Sequence, residues 1–365
     1  MWPIGPMGTS RRGRAEWDGI WQPVQVTPLD ALNRTVYLLD RSSADGYRVR
    51  AFLRAAEVVR ATDPDDLAER ARRSRLTQLD GIGEVTARLI TEALSGAVPD
   101  YLARLERDPP VMLTDEGAVL RQSLRGDLHS HSRWSDGGAT IEDMAGAAMA
   151  LGHEYLVMSD HSARLTVAHG LSRDRLLGQL AEISALNVTL AGRGFAFRVL
   201  TGMEVDINEN GSLDADDDIL AMLDVVVASA HSKLRMPAGP MTERLVAAVA
   251  NPHVDVLGHC TGRMVVGKGR PPSEFDADTV FAACLRFDKA VEINCRPERL
   301  DPPMALLKRA AELGCRFAVD TDAHAPGQLE WQGFGCNRAA DARVAPDRIV
   351  NSLARSDLLA WAASH

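Results

Sequence analysis

The stretch "GDLHSHSRWSDG", residues 126 to 137, sets two histidines one residue apart and a carboxylate five residues after the second. In an extended strand, side chains two residues apart share a face, so His129 and His131 point the same way. The turn that follows returns Asp136 toward them. Comparable endings recur along the chain in the apolar runs "LRGDLHSH", "YLVMSDH", "FRVLTGMEVD", "VVVASAH", "VDVLGHC", "AVEINC" and "CRFAVDTDAH". These runs, with the turn after the first, supply His129, His131, Asp136, His161, Glu204, His231, His259, Asp322 and His324, that is, six of the ten histidines with three carboxylates. One histidine at such a position reads as a packed side chain; nine residues of these types in one region read as a metal site.

Mixed imidazole and carboxylate ligation suits Mn²⁺, Zn²⁺ or Fe²⁺ better than Mg²⁺, which prefers oxygen alone. Nine ligands exceed the needs of one ion. Two or three closely spaced divalent cations lower the pKa of a bridging water toward neutrality and clamp phosphoryl oxygens during in-line displacement, so hydroxide attacks phosphorus. That chemistry needs no covalent nucleophile. Ser130, Ser135, Ser159 and Ser232 therefore read as hydrogen-bond partners or turn residues. Lys233, Arg263, Arg296 and Arg299 adjoin the motifs, and each suits either a substrate phosphate or a local acid such as Glu298 or Asp301. Cys260 reads as a small packed hydrophobe. His153, His169, His253 and His365 read as solvent-facing or core histidines.

For these residues to meet, the strands must run parallel. The seven apolar runs alternate with Ala-rich amphipathic segments, the pattern of repeated strand-helix units. A closed parallel barrel gathers its C-terminal strand ends on one face. The expected fold is thus α/β, a seven-stranded β/α barrel over residues 125–365. Before it, "LDALNRTVYLLDR", "YRVRAFLRAAEVVRA" and "PDDLAERARRSRL" carry apolar residues at helical spacing, with Asp63-Pro64 as a helix start. Residues 24–107 read as a small all-α domain, 108–124 as a Pro-containing linker, and 1–23 as a loosely ordered arm.

Bulk properties narrow the classes. A chain of 365 residues that is 45% hydrophobic can bury one large core or two smaller ones. No apolar run is long enough to span a membrane and no signal-peptide core opens the sequence, which predicts a cytoplasmic protein. Five dispersed cysteines without C-x-x-C argue for reduced thiols. The net charge of −9 repels nucleic acid at long range, so a polyanionic substrate must be held by local cations or bound metal.

The motifs "GDLHSHSRWSDG", "MSDHS", "GMEVDI", "ASAHS", "GHCTGR", "EINCRPERLD", "DTDAH" and "FGCNRA" resemble, in this order, the PHP (polymerase and histidinol phosphatase) superfamily. The likeness is strongest to the PHP domain of bacterial family X DNA polymerases. It implies a distorted seven-stranded barrel with a trinuclear metal centre, and motif by motif it selects the same nine ligands. It further implies Mn²⁺-dependent 3'-5' exonuclease, abasic-site endonuclease or 3'-phosphodiesterase action on DNA. The alternative is a phosphatase of small phosphomonoesters such as nucleotides or histidinol phosphate.

"LTQLDGIGEVTARLITEAL" resembles a helix-hairpin-helix motif, in which Gly81, Ile82 and Gly83 would offer backbone N–H groups to a DNA phosphate. "GYRVRAFLRAAEVV" resembles the N-terminal domain of the same polymerases. DNA is the expected partner, with a separate polymerase or repair protein as a further one. Three departures qualify the likeness. Some twenty residues between the helical domain and the barrel leave no room for palm and thumb, and "GTSRRGR" near the start resembles a palm motif without paired aspartates after it. The helical domain has no lysine for Schiff-base chemistry. Glu84 opposes a phosphate at the hairpin, so this domain reads either as a DNA-positioning module or as a scaffold.

Overall fold

The computed structural model describes residues 26–107 and 111–364. The expected N-terminal arm, "GTSRRGR" and His365 lie outside the described residues. The chain divides into two compact units, Met1–Pro110 and Val111–His365.

Among the described residues the first unit holds five α-helices: α1 (Pro28–Arg41), α2 (Gly46–Ala61), α3 (Pro64–Arg72), α4 (Glu84–Leu94) and α5 (Asp100–Arg107). Local chemistry sets their starts. The Thr27 hydroxyl accepts from Asp30 N at 3.2 Å ahead of Pro28, and the Asp63 carboxylate accepts from Asp65 N at 2.9 Å ahead of Pro64. Both are side-chain caps followed by a proline at the first helical position, where no N–H is missed. Leu32, Leu38, Leu39, Phe52, Leu89 and Ile90 are buried in this unit.

In the second unit, strands β1 (Gly126–Asp127), β2 (Tyr155–Met158), β3 (Arg198–Asp206), β4 (Val225–Ser229), β5 (Val256–Leu257), β6 (Ala290–Asn294) and β7 (Arg316–Asp320) form one sheet in chain order. Every neighbouring pair is parallel. Just beyond β1 and β7, Ser130 and Ala323 pair in a parallel bridge, bringing the sheet's two edges together into a nearly closed barrel. Helices α7 (Ile141–Ala150), α8 (Arg173–Gly192), α10 (Ala238–Val249), α11 (Ala277–Arg286) and α12 (Met304–Leu313) link successive strands, with short α9 (Asp217–Leu220) before β4. After β7 come α13 (Gln332–Asp341) and α14 (Arg355–Ala362).

Strand periodicity divides the core in two. Val226, Ala228, Leu257, Val291, Ile293, Phe317 and Val319 pack with the helices. Val225, Val227, Val256, Ala290 and Ala318 face the other way, into the barrel, with Leu358 and Trp361 of α14 packed against them. Glu204 lies opposite Val227, and Glu292 follows Ala290 by two residues, so both carboxylates share the interior face. The barrel is therefore apolar lower down and polar toward the C-terminal strand ends.

One expectation needs correction. Residues 115 to 123, within the stretch assigned to the linker, form helix α6 (Asp115–Ser123) of the second unit. Thr114 caps it through Gly117 N at 3.0 Å, and Asn337 of α13 ties it down by accepting from Thr114 N at 3.0 Å. Leu120 and Leu124 join the core. At nine residues α6 makes two and a half turns but buries only Gly117 and Leu120, too few apolar positions to show a helical period in the sequence.

Candidate metal centre

Parallel strands in sequential order deliver the chemistry-bearing side chains to one rim. His129 and His131 follow β1, His161 follows β2, Glu204 lies in β3, His231 follows β4, His259 follows β5, and Asp322 and His324 follow β7. Asp136 comes from the turn after His131. The structure brings all nine together around Glu204, whose side chain is 1% exposed. Its Oε2 lies 3.3 Å from His129 Nε2, 3.7 Å from His131 Nε2 and 2.8 Å from His161 Nδ1. Its Oε1 lies 3.2 Å from His231 Nε2 and 2.9 Å from His259 Nε2. One carboxylate thus faces five imidazoles. Asp136 Oδ1 extends the cluster to His161 Nε2 at 3.6 Å and His324 Nε2 at 3.3 Å, and Asp322 Oδ1 reaches His131 Nε2 at 3.4 Å.

Three subsets place their ligand atoms within 4.8 Å of one another: His131, Asp136, His161 and His324; His129, His131 and Glu204; and His161, Glu204 and His231. His131, His161 and Glu204 each belong to two of them, as ligands shared between neighbouring ions would. Hydrogen-bond geometry points the same way. His129 Nε2, His131 Nε2, His161 Nδ1, His231 Nε2 and Glu204 Oε2 are buried and make no hydrogen bond despite their short separations. Leaving such atoms unsatisfied costs roughly 1–3 kcal/mol each. Divalent cations of the kind that imidazole and carboxylate bind together would satisfy them, so the residues present fit a multinuclear site.

Two domain families match the chain: residues 27–97 match the helix-hairpin-helix domain and residues 127–270 the PHP domain. Over 211 residues the chain is 30% identical to a probable phosphatase of Thermoanaerobacter sp. (strain X514), covering 54% of this chain and 78% of that protein. The chain belongs to the PHP family. It is also 38% identical over 238 residues to the DNA polymerase/3'-5' exonuclease PolX of Bacillus subtilis (strain 168), covering 65% of this chain. It spans 41% of that protein's length. A crystal structure of histidinol phosphate phosphatase from Lactococcus lactis subsp. lactis Il1403, complexed with zinc, L-histidinol and phosphate, matches 60% of this chain and 92% of its own at 18% identity, with a TM-score of 0.44.

In the PHP unit, buried carboxylates that sequence reasoning missed aim the imidazoles. Glu292 Oε1 accepts from His129 Nδ1 at 2.6 Å, which turns Nε2 toward Glu204. Asp206 Oδ1 does the same for His231 Nδ1 at 3.2 Å. Such partners fix the tautomer and leave the other ring nitrogen bare for a cation. Asp160 holds the turn that presents Asp136, accepting from Ser132 N at 2.8 Å, Ser135 N at 3.1 Å and Gln179 Nε2 at 2.5 Å. Glu292 is a charge inside an apolar run and Asp206 lies two residues from Glu204, but only the strand pairing shows that they share the face of the imidazoles.

Charges across the site divide by neighbour. Burial opposes charge on His129, yet Glu204 and Glu292 outweigh it and hold the imidazole well above its usual range. His131 is pushed well below that range by burial and by His324 and His161. Burial also opposes the charge of Glu204, but His129, His161 and His231 hold it well below the usual carboxylate range. Asp322 is held well down too: against burial stand Arg296, His131, His129 and Arg299.

The four cations named from sequence part company. Arg296 Nη1 lies 3.3 Å from Asp322 Oδ1, and Arg299 Nε lies 3.2 Å from Asp322 Oδ2, so both border the cluster. Arg263 does not present its full charge to the site. Its Nε donates to the Arg299 carbonyl at 3.0 Å and its Nη2 to that of Leu300, which makes it a brace for the loop after β6. Lys233 is exposed and lies 3.9 Å from Glu209. Cys260 is buried in the core, as expected of a small hydrophobe.

At the hairpin of the first unit, Gly81 has φ +96°, a left-handed conformation that favours glycine, and Ile82 is buried. Ile82 N–H donates to the Leu79 carbonyl at 3.1 Å and Gly83 N–H to Thr86 Oγ1 at 3.0 Å. Two of the three expected amides are thus engaged within the turn. The exposed first turn of α4, beginning at Glu84, presents the positive helix terminus.

Proposed function

We propose that this PHP-family phosphoesterase acts on DNA, as a 3'-5' exonuclease or as a phosphodiesterase at abasic sites or blocked 3' ends. The observation that carries the reading is Glu204 facing five imidazoles at the mouth of a parallel barrel. The helix-hairpin-helix match and the identity to PolX supply the DNA. His129, His131, Asp136, His161, Glu204, His231, His259, Asp322 and His324 would hold two or three divalent cations, with Mn²⁺ the first choice and Zn²⁺ or Fe²⁺ next. Bound there, the cations would supply a low-pKa water and electrostatic stabilisation of the phosphoryl oxygens.

The chain's own residues do the rest. Glu292 and Asp206 keep His129 and His231 in the tautomers that leave Nε2 free. Arg296 and Arg299 orient Asp322 and supply positive charge for a substrate phosphate. The first turn of α4, with Gly81, Ile82 and Gly83 shaping it, holds a DNA phosphate by its helix terminus.

A second reading is a phosphatase of small phosphomonoesters, favoured by relatives named probable phosphatases at 30% and 29% identity. One substrate panel under Mn²⁺ separates the two. Nucleotide release from a 3'-recessed duplex, or incision of an abasic duplex, supports the DNA reading. Release of inorganic phosphate from nucleotides or histidinol phosphate, with DNA left intact, replaces it by the second.

A further inference from the structure

The connection after β5 leaves the barrel on the same face as the metal-site candidates and carries a small hairpin that the site does not use. Met264 and Arg270 pair in an antiparallel bridge, N to O at 2.9 and 2.8 Å, and enclose Val265, Val266, Gly267, Lys268 and Gly269. Gly267 and Gly269 have φ of +68° and +64°, so the tip is built on left-handed turns. The hairpin is anchored: Val265 N donates to the Glu298 carbonyl at 2.7 Å, and Arg270 Nε to the Gly262 carbonyl at 2.6 Å. Glu298 precedes Arg299, which touches Asp322, so the hairpin stands one residue from a side chain of the site.

Its composition is unusual for a water-facing loop. Val265 and Val266 are 50% and 56% exposed side by side, and Lys268 is exposed beside them. Between Asp255 and Glu274 the chain carries no acidic residue; Arg263 and Arg270 donate to backbone carbonyls, and Lys268 at the tip is exposed. Adjacent exposed apolar side chains at a functional rim mark a contact surface. Apolar contacts interleaved with cations match a nucleic-acid strand, whose bases and sugars are apolar on their faces and whose phosphates are anionic.

We propose that this hairpin is the substrate-strand clamp of the barrel. Val265 and Val266 pack on the base or sugar of an unpaired nucleotide next to the scissile phosphate, and Lys268 pairs with a neighbouring phosphate. The inference rests on the DNA reading of the site, and it adds the element by which the site would prefer a strand over a small ester.

The test uses the full chain, a fluorescent single-stranded DNA 12-mer and bis(p-nitrophenyl) phosphate. Binding is read by anisotropy and hydrolysis under Mn²⁺. V265S/V266S is expected to weaken 12-mer binding about tenfold, and its loss in kcat/KM on the 12-mer should exceed its loss on the small ester by a similar factor. Lys268→Ala should reduce the slope of log affinity against log salt by about one. Unchanged 12-mer affinity and salt slope in both variants would overturn the clamp. So would ultracentrifugation showing that the valines hold two copies together while the 12-mer binds as before. A wild-type protein that binds but never cuts the 12-mer rejects the DNA reading instead, and the binding comparison still decides the clamp.

Discussion

At the scale of single residues, the site depends on carboxylates that point nitrogens as much as on those that face them. Glu292 is fully buried, 2.6 Å from His129 Nδ1, and also accepts from His259 N at 2.5 Å. Glu292→Gln should therefore weaken metal affinity about 10- to 100-fold with little loss of helix content, and excess Mn²⁺ should restore turnover. Equilibrium dialysis against Mn²⁺ checks the first part and saturation kinetics the second. A pH effect follows from His231. Burial opposes its charge, but Glu204 and Asp206 push it up to about 9 from 6.5. In the metal-free protein this contributes on the order of 3 kcal/mol, fully present below about pH 6.5 and lost as pH rises through about 9. A cation must displace the same proton, so metal affinity rises across that window. Melting in EDTA should fall from pH 6.5 to 9 while the Mn²⁺-induced rise in Tm grows. Of the nine candidate ligands, seven follow strand ends and were suggested by the sequence because apolar runs close near them, whereas Glu204 lies within β3 and Asp136 in the turn after His131. Glu292, inside such a run, could not be told from a tolerated polar residue without knowing which face it shares.

At the scale of elements, the barrel's helices must approach the strands closely, and Gly335 shows how closely. It lies on α13, and a Cβ there would meet Cys295 Sγ at 2.3 Å and Val319 Cγ1 at 2.8 Å. Gly335→Ala gains up to about 1 kcal/mol of helix propensity, but forcing a methyl into this contact costs roughly 1–3 kcal/mol. The net expectation is a lower Tm by a few degrees. Gly192, at the end of α8 with nothing within 4 Å of its would-be Cβ, provides the contrast: Gly192→Ala should leave Tm unchanged or raise it. Calorimetry on the two variants distinguishes packing from propensity. The alternation of apolar runs with amphipathic segments carried the seven strands and their parallel order. Strands β1 and β5, two residues each, were legible only because the histidines after them repeat the pattern. Helix α6 escaped because its cap and its anchor, Asn337, are more than two hundred residues apart.

At the scale of the whole chain, two units with different chemistry share one sequence, and none of the helices among the described residues is long and apolar enough to cross a membrane. The motifs named the barrel's family, whereas net charge gave little, because the buried carboxylates of the site count toward it without facing solvent. In the helical unit, Glu84 sits at the terminus that would meet a DNA phosphate. Glu84→Lys should strengthen duplex binding severalfold at low salt and steepen its salt dependence; an unaltered titration would assign this unit a scaffold role. The central claim is that Glu204 and the imidazoles around it hold cations. Anomalous diffraction from crystals grown with Mn²⁺, recorded at the manganese edge, tests it most directly. Two or more peaks within bonding distance of Glu204, His131 and His161 are the expected result. Peaks confined to the protein surface, with these side chains bonded only to one another, would contradict it.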